Sequence, residues 1–309
     1  MFWQTSRFAI DLGKPKVMGI VNVTPDSFSD GGEHASTAAA LRHCEKLIGE
    51  GADILDIGGE SSRPGATPLP LQQELARVLP VVREAVKLGV PISVDTYKPQ
   101  VMQAVLDLGA DVINDIHALQ WCDEAHDRDR EHATPLAAQT VSRHPRCGVC
   151  LMHMHRNPLT MQSMPMTGDV VAQVLEFWKR IIQHMQTLEI DTHRVVLDPG
   201  IGFGKTVAQN FELLARQHEL LAAGYPLLVG WSRKSSLVQA SDTALGRVAT
   251  ADRHDRMVPS VAAALMAVER GAVIVRVHDV HETVQAFKVL AAVKQSSKTG
   301  CENGVETRS

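Results

Sequence analysis

An α/β fold, a (β/α)8 TIM barrel in a single domain, is predicted by three features of this 309-residue sequence. Short runs dense in Val, Ile and Leu recur along it, one-sided apolar stripes of helical period lie between them, and polar residues stand at the ends of the runs. The runs are Val17 to Val23, Asp53 to Ile57, Pro91 to Val94, Val112 to Asn114, Val149 to His153, Val195 to Leu197, Leu227 to Val229 and Val273 to Val277. Several are nearly continuous in apolar residues, as strands covered on both faces by helices are. Leu75, Val78, Leu79, Val82 and Val86 make one helical stripe, and Val171, Val174, Leu175, Trp178, Ile182 and Met185 another; both are assigned to barrel-facing core. Strand ends roughly 20 to 45 residues apart suit successive β/α units, and a doubly wound open sheet is the alternative architecture. The barrel domain is assigned to residues 1–295, and the polar tail from Ser296 to Ser309 is expected to be disordered.

Composition excludes several function classes. An apolar content of 44% fills a sizeable core, and 31 basic against 35 acidic residues leave a formal charge of −4, which points to neither a nucleic-acid nor an anionic-membrane surface. Met1 to Ile10 lacks the sustained apolar core of a signal peptide, and no run approaches a membrane span, so a cytoplasmic location is expected. Five cysteines are too few and too irregular for a disulfide framework. Cys147 and Cys150 have C-x-x-C spacing but sit in or beside an apolar strand with no second ligand pair, so they are read as structural. The polar stretch Asp123 to His132 is read as a solvated loop or helix start.

In such a barrel chemistry sits where strands end. Here those ends carry Asn22, Asp56, Asp95, Asn114 with Asp115, His153, Asp198, then Ser232, Arg233 and Lys234, and finally Arg276, His278 and Asp279. So many costly polar groups in one place imply a ligand. Asp95, Asn114 and Asp198 offer acceptors and donors for the edge of a flat, amide-bearing heterocycle, and Arg63, Lys234, Arg276 and His278 suit an anion. The turn-rich loop Asn22 to Gly32 can order over such a ligand, with Asn22 and Asp30 giving oxygen ligands to Mg2+ held through phosphates.

One apparent motif fails. Gly200-Ile201-Gly202-Phe203-Gly204-Lys205-Thr206 looks like a phosphate-binding loop, but G-x-x-x-x-G-K-T needs glycine where Pro199 stands. The glycines are read as allowing close backbone approach to a ligand, with Phe203 against a ring and Lys205 as a local charge.

Eight segments closely resemble the dihydropteroate synthase family, in its order and over nearly the whole chain. They are Met18 to Gly32, Asp56 to Gly65, Ser93 to Thr96, Ile113 to Ile116, Leu151 to Met154, Asp198 to Lys205, Ser232 to Ser235 and Arg276 to Asp279. The resemblance implies a Mg2+-dependent transferase of folate biosynthesis, a sulfonamide target, that condenses 6-hydroxymethyl-7,8-dihydropterin pyrophosphate with p-aminobenzoate. It implies that Asp95, Asn114, Asp198 and Lys234 hold the pterin edge, with Ile116, Met152 and Phe203 on its faces. Asn22, Arg276 and His278 would grip the pyrophosphate, with Mg2+ between Asn22 and Asp30, and Phe28, Ser62, Arg63, Pro64 and Ser235 would frame p-aminobenzoate. Asp30, Arg63, Lys234, Arg276 and His278 are the residues expected to carry the chemical step, in which pyrophosphate departs before the amine attacks.

Three departures from the family pattern stand out: Ser62 in place of the usual Thr, the polar insertion around residues 121–145, and Met257-Val258-Pro259-Ser260 where Gly usually precedes Ser. The last lies on a helix that commonly forms a homodimer contact in the family, and a homodimer is expected here. The competing functions are a silent pterin-binding paralogue and a methyltetrahydrofolate-dependent methyltransferase. The intact first and second loops argue against the former, and Thr24-Pro25-Asp26-Ser27-Phe28-Ser29-Asp30 against the latter.

Overall fold

The computed structural model describes residues 1–24, 32–63, 65–121, 134–161, 163–244 and 256–302. The chain opens with β1 (Phe2–Gln4) and β2 (Ala9–Asp11). It continues through β3 (Lys16–Asn22), α1 (Gly32–Glu50), β4 (Ile54–Gly58), α2 (Leu71–Ala85), β5 (Ile92–Asp95), α3 (Pro99–Asp107) and β6 (Val112–Asp115). Next come α4 (Leu136–Ser142), β7 (Gly148–Met152), α5 (Val170–Thr187), β8 (Val195–Asp198), α6 (Val207–Ala215) and α7 (Gln217–Leu220). The last elements are β9 (Leu228–Val229), α8 (Ser235–Ala244), α9 (Met257–Glu269), β10 (Ile274–Val277) and α10 (Val280–Glu302).

Eight parallel strands lie in the order β8-β7-β6-β5-β4-β3-β10-β9. The two ends of that sheet meet through a bridge between Leu197 and Leu227 and a hydrogen bond from Leu197 N to Pro226 O of 3.0 Å, so the barrel is nearly closed. The strands fall within a residue or so of the runs expected from sequence.

Alternation along the strands explains where polarity goes. One set of residues, including Leu55, Ile57, Ile113, Leu151, Leu197 and Val275, packs outward into the main core against the helices. The set out of phase with it fills the lower barrel interior with Met18, Ile54, Val112, Cys150, Val196, Leu228 and Ile274. Each inward position repeats two residues on, so Ile54 is followed by Asp56, Val112 by Asn114, Cys150 by Met152, Val196 by Asp198 and Ile274 by Arg276. The apolar layer sits low and the polar layer lies above it at the mouth. On the outside, α2 presents Val78, Val81, Val82 and Ala85, and α5 presents Val171, Val174, Trp178, Ile181 and Met185. Burying each of the larger of these stabilises the fold by roughly 1.5–3 kcal/mol.

The floor of the barrel is an element that periodicity does not reveal. Strands β1 and β2 form an antiparallel hairpin, with Trp3 opposite Ile10, and both side chains join the lower interior cluster. Trp3 Nε1 donates to Arg194 O at 2.8 Å just before β8, and Arg7 pairs with Asp111 at 2.5 Å just before β6. Three-residue strands are too short to carry a readable period.

At the other terminus α10 runs to Glu302, so the segment expected to be disordered from Ser296 continues as helix. The good helix formers Ala291, Ala292, Lys294 and Gln295 lead into it, and propagating an existing helix is far cheaper than starting one. Residues 303–309 and the polar insertion between 122 and 133 lie outside the described residues. Cys147 and Cys150 are buried free thiols, and burial raises both, Cys147 to about 12, in keeping with a structural role.

Two glycines separate backbone strain from crowding. Gly200 has φ +68°, and a Cβ there would stand 1.9 Å from the His153 carbonyl oxygen, whereas Gly89 has φ +77° and nothing within 4 Å. Gly200→Ala is expected to destabilise the protein by roughly 2–4 kcal/mol and Gly89→Ala by about 1 kcal/mol. Urea unfolding of the two variants checks this; equal losses would mean that the His153 carbonyl is free to move aside.

Candidate active site

The inward polar residues of five strands converge at the mouth. Asp56 on β4 is fully buried, and its carboxylate accepts from Ser93 Oγ at 2.6 Å, Asn114 Nδ2 at 3.2 Å and Arg276 Nε at 2.6 Å. The same guanidinium donates from Nη2 to Asp95 at 2.8 Å, so Arg276 is shared by two carboxylates. Asp95 is pushed up to about 7, chiefly by burial; Arg276 opposes the shift and the Asp56 charge adds to it. Sequence reasoning places Asp56 at a strand end and assigns it no role. Its parity with Ile54, two residues before it, was the available signal.

Asp198, at the end of β8, accepts from Gly200 N at 2.7 Å. Burial raises its carboxyl above the usual carboxylate range, against the pull of that N–H and of Lys234, Lys205 and Arg276. Lys234 lies with Nζ 4.3 Å from the Phe203 ring centroid. Desolvation lowers its ammonium to about 8, while Asp198 favours the charged form. Phe203 forms one apolar cluster with Ile116, Met152 and Met161, flanked by Tyr97 and Met154. The three residues expected to pack a flat ring are thus in one patch, beside the polar layer.

His278 completes the cationic side. Ser232 Oγ accepts its backbone N–H at 3.1 Å and lies 3.0 Å from its Nδ1. Oγ therefore meets both the backbone and the ring of His278, and the direction of its bond to Nδ1 follows the imidazole tautomer. The ring is held neutral, at about 3, first by burial and then by the charges of Arg233, Arg276, Arg63 and Lys234. Those repulsions report how closely the cations gather: a pocket this positive favours an anion. Arg233 itself binds Asp279 at 2.6 Å, and that pair is satisfied within the protein.

Other expected residues are dispersed. Asn22 ends β3 opposite Gly58 on β4. Ser62 and Arg63 follow β4, with Arg63 N 3.4 Å from Ser61 Oγ, and Ser235 begins α8. Asp30, Phe28 and Pro64 lie outside the described residues. Two strand-end polar groups do not face the mouth. Asp115 accepts His117 N at 2.7 Å and Leu119 N at 2.8 Å, shaping the turn after β6. His153 sits edge-on to Phe177 of α5 and 2.9 Å from Lys205 Nζ. Lys205 is buried, and its ammonium also donates to the carbonyls of Gly200 at 2.9 Å and Phe203 at 3.1 Å. It braces the glycine-rich turn from behind and is not a phosphate clamp.

A metal can be tested against the donors. Among the described residues no group of three His, Cys, Asp or Glu side chains is placed to hold an ion. Asn22, the last residue of β3, brings a neutral carboxamide to the strand-end layer. That fits Mg2+, which keeps few protein ligands and binds largely through phosphates and water, and does not fit a closed protein cage.

Asp56→Asn keeps the size of the side chain but presents an amide to donors. We expect it to cost roughly 1–3 kcal/mol of stability, because Arg276 loses a buried charge partner. Chemical unfolding measures it; an unchanged midpoint would show that Asp95 alone suffices to hold Arg276.

Comparison with known proteins agrees with this geometry. Residues 18–278 match the family described as pterin binding enzyme. The dihydropteroate synthase of Neisseria meningitidis serogroup B is 46% identical over 296 residues, 94% of this chain and 97% of that one. That of Escherichia coli K12 is 44% identical over 285 residues, 92% and 93%. Among solved structures, Xanthomonas albilineans dihydropteroate synthase with 4-aminobenzoic acid superposes with a TM-score of 0.80 at 44% identity, covering 93% of this chain and 95% of that chain. Burkholderia cenocepacia dihydropteroate synthase complexed with 7,8-dihydropteroate gives 0.80 at 41% identity, covering 96% and 98%. The chain belongs to the dihydropteroate synthases.

Proposed function

We propose that this chain condenses 6-hydroxymethyl-7,8-dihydropterin pyrophosphate with p-aminobenzoate, releasing pyrophosphate and 7,8-dihydropteroate. The observation that carries the proposal is the pairing, at one barrel mouth, of a polar edge (Asp95, Asn114, Asp198, Lys234) with an apolar patch (Ile116, Met152, Phe203) and a cationic rim. The ligands of the two related structures, a substrate and the product of this reaction, support it.

In this reading the N–H groups of the pterin edge bind Asp95 and Asp198, and the Asn114 carboxamide, anchored by one Nδ2 hydrogen bond to Asp56, meets the ring beside them. Asp95 is engaged by Arg276 beforehand, so the ring must take over that carboxylate, leaving Nη2 of Arg276 available to the pyrophosphate. Arg276, His278 and Lys234, with Arg63, then stabilise charge as the C–O bond breaks toward the leaving oxygen. Asn22 and Asp30 would hold Mg2+, which would supply further neutralisation of that leaving group. The amine of p-aminobenzoate, framed by Phe28, Ser62, Arg63, Pro64 and Ser235, forms the C–N bond and loses a proton. Because the C–O bond breaks before the amine attacks, a methylene cation conjugated to the pterin is formed, and excluding water from the site would protect it.

A homodimer and a cytoplasmic location belong to the same proposal. Val258 and Met266 on α9 are 69% and 46% exposed, supporting an apolar contact there. Among the described residues no helix is long and apolar enough to cross a membrane.

Mixing purified protein with both substrates and Mg2+ should release pyrophosphate, and its absence would overturn the assignment. Chelation should stop turnover while leaving binding of a phosphate-free pterin nearly intact. Loss of both together would point to a structural metal.

Arg63 provides the sharper test. An ordinary solvated arginine would change stability by about 0.5 kcal/mol or less on replacement. As a cation beside the leaving group, Arg63→Ala should instead lower turnover about 100-fold while pterin pyrophosphate affinity moves much less. Steady-state kinetics and direct binding on the same variant decide; parallel losses would move Arg63 into the pterin pocket.

A further inference from the structure

A buried ion network lies beneath the segment that carries Ser62 and Arg63. Strand β4 ends at Gly58, and the next residues form the stem of that segment. Gly59 packs so closely on α2 that a Cβ would stand 2.6 Å from Val78 Cγ2, and its carbonyl accepts from Arg77 Nη1 at 3.0 Å. Glu60 follows, with one carboxylate oxygen accepting from Tyr97 OH at 2.9 Å and the other paired with Lys98 Nζ. Lys98 also pairs with Glu74 of α2 at 2.5 Å, and Glu74 accepts from Thr96 Oγ1 at 2.6 Å. Both Lys98 and Glu74 are buried.

The network joins two places that matter. Thr96, Tyr97 and Lys98 directly follow Asp95, and Glu60 stands two residues before Ser62. On its far side the segment is tied by Gly65 N to Pro158 O at 3.0 Å. Glu74 and Thr96 alone would hold α2 to the end of β5. Of the carboxylates involved, only Glu60 lies on the stem, so a purely structural network would not need it. One ammonium faces two carboxylates, Glu60 on the stem and Glu74 on α2, so it ties the stem and the helix to the same turn. An ion pair largely withdrawn from water resists rearrangement, since parting its members leaves uncompensated charge.

We propose that Glu60, held by Lys98 and Tyr97, is a positioning residue for the p-aminobenzoate half of the site, fixing the stem of the Ser62–Arg63 segment to the turn that follows Asp95. This rests on the function proposed above. Placement errors of an ångström at a reacting group cost rate without abolishing binding elsewhere. Glu60→Gln keeps the shape and an acceptor for Tyr97 and removes the charge. It should raise KM for p-aminobenzoate about 10-fold and lower kcat several-fold, with the Kd of pterin pyrophosphate changed less than about 2-fold. Glu74→Gln, at a carboxylate that meets Lys98 and Thr96 and makes no hydrogen bond to Glu60, should leave that KM within about 2-fold.

The experiment is steady-state kinetics, calorimetry with pterin pyrophosphate and urea unfolding on wild type and both variants. A selective rise in KM for Glu60→Gln supports the proposal. Unchanged kinetics for Glu60→Gln in an active wild-type background overturns it alone, as does a loss of pterin affinity and stability in step with KM. A wild type that releases no pyrophosphate overturns the functional reading, and the inference falls with it. Should Glu60→Gln not fold, Tyr97→Phe removes the other tether, and an unchanged KM in that variant overturns the proposal.

Discussion

The mouth of this barrel is organised around the buried carboxylate of Asp56. An ionised group without solvent is tolerated only when donors replace the water it has lost. Here the donors come from three different strands: Ser93 from β5, Asn114 from β6 and Arg276 from β10. Each donor is fixed in turn. Asn114 has one N–H tied to Asp56, which fixes its carboxamide, and Arg276 is held between Asp56 and Asp95. Asp56 thereby preorganises Asn114 and Arg276 at the mouth.

The apolar layer below gives that arrangement its strength. Met18, Ile54, Val112, Cys150, Val196, Leu228 and Ile274, closed off by the Trp3 hairpin, keep water out of the barrel from below. Charges above such a floor interact through a medium of low polarisability. The shifts at Asp95, Lys234 and His278 all have burial as their first cause. The same desolvation that disfavours charge in the empty site makes an ionic or hydrogen-bonding ligand a welcome replacement for water.

Much of this was legible in the sequence, and the reasons are specific. Long apolar runs mark the barrel strands because helices cover them outside while side chains fill them inside. Asp95, Asn114, Asp198 and Arg276 were found because they end those runs. Asp115 and His153 were grouped with them, although parity separates them: each is one residue beyond an inward-facing neighbour, Asn114 or Met152, and so falls out of phase with the mouth. The Trp3 hairpin carries too few residues for a period. The Glu60, Glu74 and Lys98 network joins residues far apart in sequence, and nothing local about a glutamate in a glycine-rich stretch reveals where its carboxylate goes.

The closure between β8 and β9 has a consequence for motion. From β8 round to β10 neighbouring strands share three to five paired positions, whereas the ends of the sheet meet at the bridge between Leu197 and Leu227, where Leu197 N donates to Pro226 O. Strand β9 is only two residues long. Local opening begins where few hydrogen bonds must break together, so amide exchange at Leu197 should exceed that of the central strands. Asp198 lies on one side of this seam and Lys234 follows β9 on the other. Breathing of the seam would widen the gap between Asp198 and Lys234, making the joint a built-in slack point at the edge of the mouth.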